Sequence, residues 1–169
     1  MISKNSTIVL IFTLIALLLF VDNVSAHGRM LEPQIRLAPG DSGNGFTLAN
    51  GPTRNEPCAG LPPGEILTTY RTGQTATIQW TITAAHRGTC YIQLSTTGAD
   101  SDFRDLQVLP NCADSTGTFT TTVTLPATSC ARGTLRFKWE ALLTKELYLN
   151  CADISIARNN KKRLSAVSF

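Results

Sequence analysis

The chain has 169 residues, of which 43% are hydrophobic and 16% are charged, and its formal net charge is +3 at pH 7. This length supports one domain with a sizeable core. The net charge is too small to favour nucleic acid as a partner.

Residues 1–26 have the pattern of a secretory signal peptide. Lys4 supplies the positive charge, Ile8–Phe20 is a predominantly apolar run, and Val24-Ser25-Ala26 is a small-residue cleavage site. Because the run is shorter than the roughly 20 residues that span a bilayer, a cleaved leader is favoured over a retained anchor. We therefore predict a secreted, extracellular protein that is not bound to a membrane and that begins at His27.

A histidine at the mature N-terminus has metal-binding chemistry that an internal histidine lacks. Its α-amine titrates near pH 7.7–8.0, at about the value of free amino termini, so amine and imidazole can chelate one metal ion together. A second imidazole would complete a planar set of three nitrogens, which suits Cu(II) best among the divalent ions. His86 is the other histidine of the predicted mature chain.

Residues 27–73 are dense in glycine and proline and hold no period for long, which predicts long N-terminal loops. One motif here, Gly40-Asp41-Ser42-Gly43, resembles the nucleophile motif of trypsin-like proteases. Ser42 precedes His86, however, which is the reverse of the chain order in that family. A polar turn is the better interpretation.

From Gln74 onward the pattern has period two, which is typical of half-buried strands. These short runs predict an all-β, immunoglobulin- or fibronectin-like antiparallel sandwich over residues 27–158, followed by a basic tail at 159–169. Both tryptophans fall on inward faces. The alternating inward positions are Ala76, Ile78, Trp80 and Ile82, then Cys90, Ile92 and Leu94, then Phe119, Thr121, Val123 and Leu125, then Leu135, Phe137, Trp139 and Ala141, then Ile154 and Ile156.

The five cysteines of a secreted chain imply disulfides with one thiol left over. Sequence alone leaves the pairing open. We favour Cys58–Cys151, which would tie the N-terminal segment to the last strand, and Cys112–Cys130, which would close a short loop. Cys90 would then be a buried free thiol.

Three internal residues are candidates for chemistry. His86 lies between two predicted strands, in a turn where a ligand can face outward. Tyr148 precedes Cys151 by three residues, so a bridged cysteine would hold its phenol in place beside a metal. Glu146 would project to the same side of that strand.

Taken together, four segments resemble the lytic polysaccharide monooxygenases and the related chitin-binding type-4 domains. They are His27-Gly28, Pro57-Cys58-Ala59-Gly60, Ile82–Gly88 and Glu146-x-Tyr148-x-x-Cys151-Ala152-Asp153-Ile154. The resemblance implies a sandwich fold and one copper ion per chain. The ion would be held by the amine and imidazole of His27 and the imidazole of His86, with Tyr148 as its axial neighbour. Glu146 would be a hydrogen-bonding group that steers the activated oxygen species.

The resemblance also implies partners and a reaction. An external reductant with hydrogen peroxide or dioxygen would drive oxidative cleavage of a polysaccharide surface, with chitin favoured, by a monomer. Two alternatives stay open: a non-catalytic copper-acquisition protein of the same fold, and a plain chitin-binding module. The chain lacks an obvious surface patch of aromatic residues, since only Phe46 and Tyr70 fall outside the core pattern.

Overall fold

A computed structural model describes residues 28–37, 47–49 and 51–159. Within these residues the chain forms nine strands and one short 3-10 helix. The strands are β1 Gly28–Glu32, β2 Thr47–Ala49, β3 Thr68–Arg71, β4 Thr75–Ile82, β5 Gly88–Ser95, β6 Arg104–Pro110, β7 Gly117–Thr124, β8 Cys130–Ala141 and β9 Leu147–Ala157, and the helix is Gly51–Asn55.

The strands form two sheets that face each other. The smaller sheet has the order β1-β4-β7, and the larger has the order β2-β9-β8-β5-β6. All pairs are antiparallel except β3, which runs parallel to β9 beyond the end of β2. The predicted immunoglobulin-like β-sandwich is confirmed.

The period-two pattern predicts the core correctly. Along β4 the inward residues are buried and the outward ones are not, and the inward residues of β5 and β8 are almost fully buried. Both tryptophans face inward as predicted: Trp80 packs against Phe119 and Phe137, and Trp139 is fully buried. Burial of side chains this large contributes about 1.5–3 kcal/mol each before conformational entropy is subtracted.

Four strands lie where the sequence predicts none. Strands β1, β2 and β3 fall in the segment interpreted as loops, because they are short and are separated by glycine and proline. Strand β6 is an edge strand whose Leu106 and Leu109 pack against the core three positions apart, across an irregularity in its pairing with β5, so it has no period of two. Tyr70, which we expected outside the core, is buried on β3.

Several predictions fall on residues that the structure does not describe. They concern the signal peptide at 1–26, His27, the Gly40–Gly43 motif, Phe46 and the tail beyond Asn159. Among the described residues, no helix is both long enough and apolar enough to cross a membrane.

One of the two predicted disulfides is present and the other is wrong. Cys58 and Cys151 are bridged, but Cys112 is bridged to Cys90, and Cys130 is the free thiol. The Sγ of Cys112 lies 3.8 Å from the carbonyl oxygen of Gly88, at the end of β5 that pairs with Ala141. Cys130 is at the opposite end of β8, roughly 35 Å away along the strand, so it cannot form a bridge to Cys112.

A buried charge network fixes the segment that follows β1. The guanidinium of Arg36 contacts Asp153 at 2.5 Å and Asp100 at 2.6 Å. The hydroxyl of Thr134 donates a short hydrogen bond to Asp100. The backbone NH of Arg36 also donates to the carbonyl of Cys151 at 2.7 Å. These contacts hold the N-terminal segment against the larger sheet.

The disulfide assignment predicts different effects for two serine substitutions. Cys90→Ser should lower the free energy of unfolding by roughly 3 kcal/mol, because it opens a closed loop of 22 residues. Cys130→Ser should cost less than about 1 kcal/mol, since this thiol crosslinks nothing. Urea unfolding measures both. Thiol titration of the unfolded, unreduced parent should find one thiol, and Cys130→Ser should have none. If Cys90→Ser has none and Cys130→Ser keeps one, the assignment is wrong.

The network also predicts how stability depends on pH. Burial, the largest single influence, opposes ionisation of Asp100, but hydrogen bonds from Arg36 and Thr134 and the charge of Arg36 together hold its pKa below the usual value. A depressed folded-state pKa gives stability that is present above the unfolded value of about 3.9 and is lost as pH falls through the folded value. Urea unfolding between pH 6 and pH 3 should therefore show a steeper loss for the parent than for Asp100→Asn. The surface variant Asp114→Asn should keep the parental slope, and equal slopes for all three proteins would contradict the prediction.

Candidate metal centre

His86 lies in the connection that crosses from the smaller sheet to the larger one. β4 ends at Ile82 and β5 begins at Gly88, so residues 83–87 form a loop at one end of the sandwich. The His86 side chain is 19% exposed. Its ring meets the edge of Trp139 with a centroid distance of 6.3 Å and an interplanar angle of 78°. The loop therefore presents a partly open imidazole above the core.

Gly88 allows this loop to approach β8 closely. A Cβ added at Gly88 would lie 2.6 Å from the indole nitrogen of Trp139 and would collide with the carbonyl oxygen of Glu140. No side chain larger than hydrogen fits there without a shift of β8. The glycine two residues after His86 thus brings its loop against Trp139.

The β8–β9 connection, residues 142–146, lies beside this loop. The NH of Leu142 donates to the carbonyl of Arg87 at 2.8 Å, and the NH of Ala141 donates to the carbonyl of Glu146 at 3.0 Å. These bonds bring the Glu146 carboxylate to His86, with 3.9 Å between Oε2 and Nδ1. Glu146 precedes β9, so it reaches the site from the turn and not from the strand face that we predicted.

The surroundings of Glu146 favour its ionised form. Hydrogen bonding from Thr144 is the largest influence and lowers the pKa of the carboxyl group, against desolvation by partial burial. The Tyr148 hydroxyl and His86 lower the pKa further. A partly exposed carboxylate with low proton affinity therefore stands beside the imidazole.

An aromatic stack supports both groups from below. Tyr148 is 1% exposed and stacks on Trp139, its direct cross-strand neighbour, with centroids 4.7 Å apart and planes 27° apart. Trp139 in turn contacts the His86 ring. The phenol of Tyr148 is thus held between the core and the Glu146 carboxylate.

The structure brings together three of the four predicted site residues: His86, Glu146 and Tyr148. The fourth, His27, is outside the described residues, although its neighbour Gly28 pairs with Ile82 at the start of the 83–87 loop. Among the described residues, no three His, Cys, Asp or Glu side chains form a metal cluster. The sequence predicted only that Trp139 lies in the core. That it supports Tyr148 and His86 depends on its pairing with Tyr148 across β8 and β9, which the sequence does not reveal.

A family model described as lytic polysaccharide mono-oxygenase, cellulose-degrading, matches residues 41–154. No curated protein matches the chain.

Solved structures of similar fold come from several bacteria. A chitin-binding domain from Burkholderia pseudomallei is 17% identical, covering 79% of this chain and 100% of its own, with a TM-score of 0.56. A lytic polysaccharide monooxygenase from Jonesia denitrificans is 21% identical, covering 78% and 100%, with a TM-score of 0.52. The catalytic domain of one from Listeria monocytogenes is 14% identical, covering 77% and 99%, with a TM-score of 0.58. Identities this low show a shared fold.

Proposed function

Because the chain belongs to the lytic polysaccharide mono-oxygenase family, we propose that it is a secreted enzyme that uses one copper ion to cleave a polysaccharide oxidatively. The observation that carries this proposal is the pairing of Gly28 with Ile82, beside the loop that holds His86. Consecutive Cα atoms are about 3.8 Å apart. The described chain therefore starts, at Gly28, at the end of the sandwich where His86, Glu146 and Tyr148 meet, and this supports the proposal.

The donor chemistry of this end fits copper. Cleavage after Ala26 would give His27 a free amine, and its two nitrogens with the His86 imidazole make three nitrogen donors. The two disulfides suit an oxidising extracellular compartment. Bound there, copper would supply the one-electron redox chemistry that activates dioxygen or hydrogen peroxide.

The remaining residues shape the site around these donors. Tyr148 stacks on Trp139 and lies on the side of the proposed site that faces the core. Burial keeps its phenol in one position. Glu146, held ionised, has one buried oxygen, Oε2, without a hydrogen-bond partner among the described residues, and this oxygen could accept a hydrogen bond from a species bound at the metal. The inner side is thereby packed and the outer side is left open to substrate.

The outer rim offers an apolar contact for a polymer. Leu142 and Leu143 are 54% and 83% exposed and belong to the same turn as Glu146. Exposed apolar side chains beside a reactive site suit the C–H faces of sugar rings. An insoluble polysaccharide such as chitin or cellulose presents such faces, and we propose chitin first.

One observation favours a second candidate. A carboxylate 3.9 Å from His86 is also a feature expected of a protein that holds Cu(II) without catalysis, because negative charge favours the oxidised ion. The same fold would then act as a copper-acquisition protein. Turnover separates the two candidates.

The metal proposal predicts how copper affinity responds to three changes. His86→Ala should weaken copper binding by about 100-fold or more, since loss of a mere outer-shell partner already costs about 10–100-fold. An alanine placed before His27 should also weaken it, because the amine leaves the chelate. Tyr148→Phe should retain most of the affinity. Competition titration and electron paramagnetic resonance measure these effects on protein whose N-terminus has been verified by intact mass. Parental copper binding by His86→Ala would contradict the site.

Catalysis predicts that copper-loaded protein with ascorbate and hydrogen peroxide releases oxidised oligosaccharides from chitin, cellulose or pectin. Glu146→Gln should slow release by about 10–100-fold with copper retained. Leu143→Ser should reduce release from insoluble substrate, whereas Val108→Ser, which alters a side chain 49% exposed on β6, should not. If correctly processed, fully loaded protein releases nothing from the whole panel, the copper-acquisition candidate is favoured.

A further inference from the structure

The outward face of the smaller sheet carries an array of threonines on two paired strands. We define the threonine face as the outward residues of β4 and β7, paired Thr75–Thr124, Thr77–Thr122, Gln79–Thr120 and Thr81–Thr118. Seven of its eight members are threonine. The pairing is regular along the whole of both strands, with no bulge.

The geometry of antiparallel strands makes this array periodic. Outward residues of one strand repeat about every 6.8 Å, and directly opposed residues have Cβ atoms about 4.5–5.5 Å apart. Six of the threonines are exposed, and Gln79 and Thr81 are partly so. The result is a narrow grid of hydroxyl and methyl groups.

Most of these hydroxyls have no hydrogen-bond partner among the described residues. Thr81 donates to the carbonyl of Gly117 at 3.2 Å, and Thr120 accepts from Gln79 at 3.4 Å. The other five threonines make no such bond within residues 28–37, 47–49 and 51–159. Each can donate one hydrogen bond outward and accept others.

The face also excludes charge. Neither β4 nor β7 contains a charged residue, and the charges at the border of the face are Arg29 and Glu32 of β1, opposite Thr81 and Gln79, which are of opposite sign. The outward side of β8 in the other sheet carries Arg136, Lys138 and Glu140 instead. A face that served only to be solvated would be expected to carry charges of this kind. Its neutrality argues against a polyanion or an anionic membrane as the partner.

We propose that the threonine face is a second attachment surface for an insoluble neutral polysaccharide. Such a polymer is uncharged and rich in hydroxyls that both donate and accept, so it can exchange hydrogen bonds with the array. The proposal takes its polymer class from the proposed function, but it requires neither copper nor the loop end of the sandwich. Attachment here would hold the protein on the polymer independently of the site.

The test uses copper-free protein and particles of chitin and microcrystalline cellulose. The parent should be depleted from solution by at least one of the two polymers. The variant with Thr75, Thr77, Thr122 and Thr124 all changed to valine keeps the branched side chains and loses four hydroxyls. Its dissociation constant should rise about 10-fold or more, because four hydroxyls that can bond to the polymer are lost.

Controls separate this surface from the site and from folding. Thr96→Val with Thr128→Val alters exposed threonines off the face and should bind as the parent does. Because every protein in this test is free of copper, a failure of the copper site leaves the test intact. Thr77→Lys is a single exposed change that folds even if the fourfold variant does not, and it should weaken binding too.

Three results would overturn the proposal. They are a copper-free parent that binds neither polymer, face variants that bind as tightly as the parent, and a parent that partitions into growing ice but not onto polysaccharide. The last result would assign the hydroxyl grid to ordered water.

Discussion

The buried ion pair between Arg36 and Asp153 is the contact on which the arrangement of the N-terminal segment depends. Both side chains are almost fully buried, so each charge would be costly without the other. Arg36 comes directly after the segment that begins with β1 in the smaller sheet, whereas Asp153 is on β9 in the larger one. The pair thus fixes one segment across both sheets. The bond from the NH of Met30 to the side chain of Asn150, 2.8 Å long, makes a second crossing between β1 and β9.

Strand β9 is the common support for these crossings and for the site. Its Cys151 is bonded to Cys58, and the strand pairs with β2, β3 and β8. Its residue Tyr148 is stacked on Trp139, and the same indole contacts His86. The position of the imidazole is therefore set by the packed core and not by its loop alone, as the proposed role in binding a metal would require.

The features that the sequence predicted correctly are those whose signal lies within a short stretch of residues. The long strands are visible because inward residues such as Ile78 and Phe137 alternate with polar ones, and that pattern needs only one buried face. The edge strand β6 was missed because its two core contacts, Leu106 and Leu109, are three positions apart and do not alternate. Cys90 pairs with Cys112 because both lie near the same end of β8, whereas Cys130 lies at the other end. The spacing of cysteines in the sequence does not predict how strands are aligned in a sheet.

At the candidate site, too, local motifs were informative and contacts between distant residues were not. The motifs singled out His86, Tyr148 and Glu146, which lie together in the structure, and Gly88 explains physically why the motif ends in glycine. The role of Trp139 beneath them was not found, because a residue at an alternating inward position gives no sign of which neighbour it supports. Its pairing with Tyr148 is a non-local fact of the folded sheet.

The threonine face bears on why the smaller sheet can remain open on its outer side. Threonine is β-branched and suits a strand, so the array by itself needs no explanation beyond propensity. The absence of charge is different, since β7 is also the edge of its sheet among the described strands. Natural sheets protect such edges with charges, proline or bulges, and β7 has none of these over eight residues. An edge and a face that are both neutral and regular are more readily understood as a surface shaped for contact than as one shaped only for water.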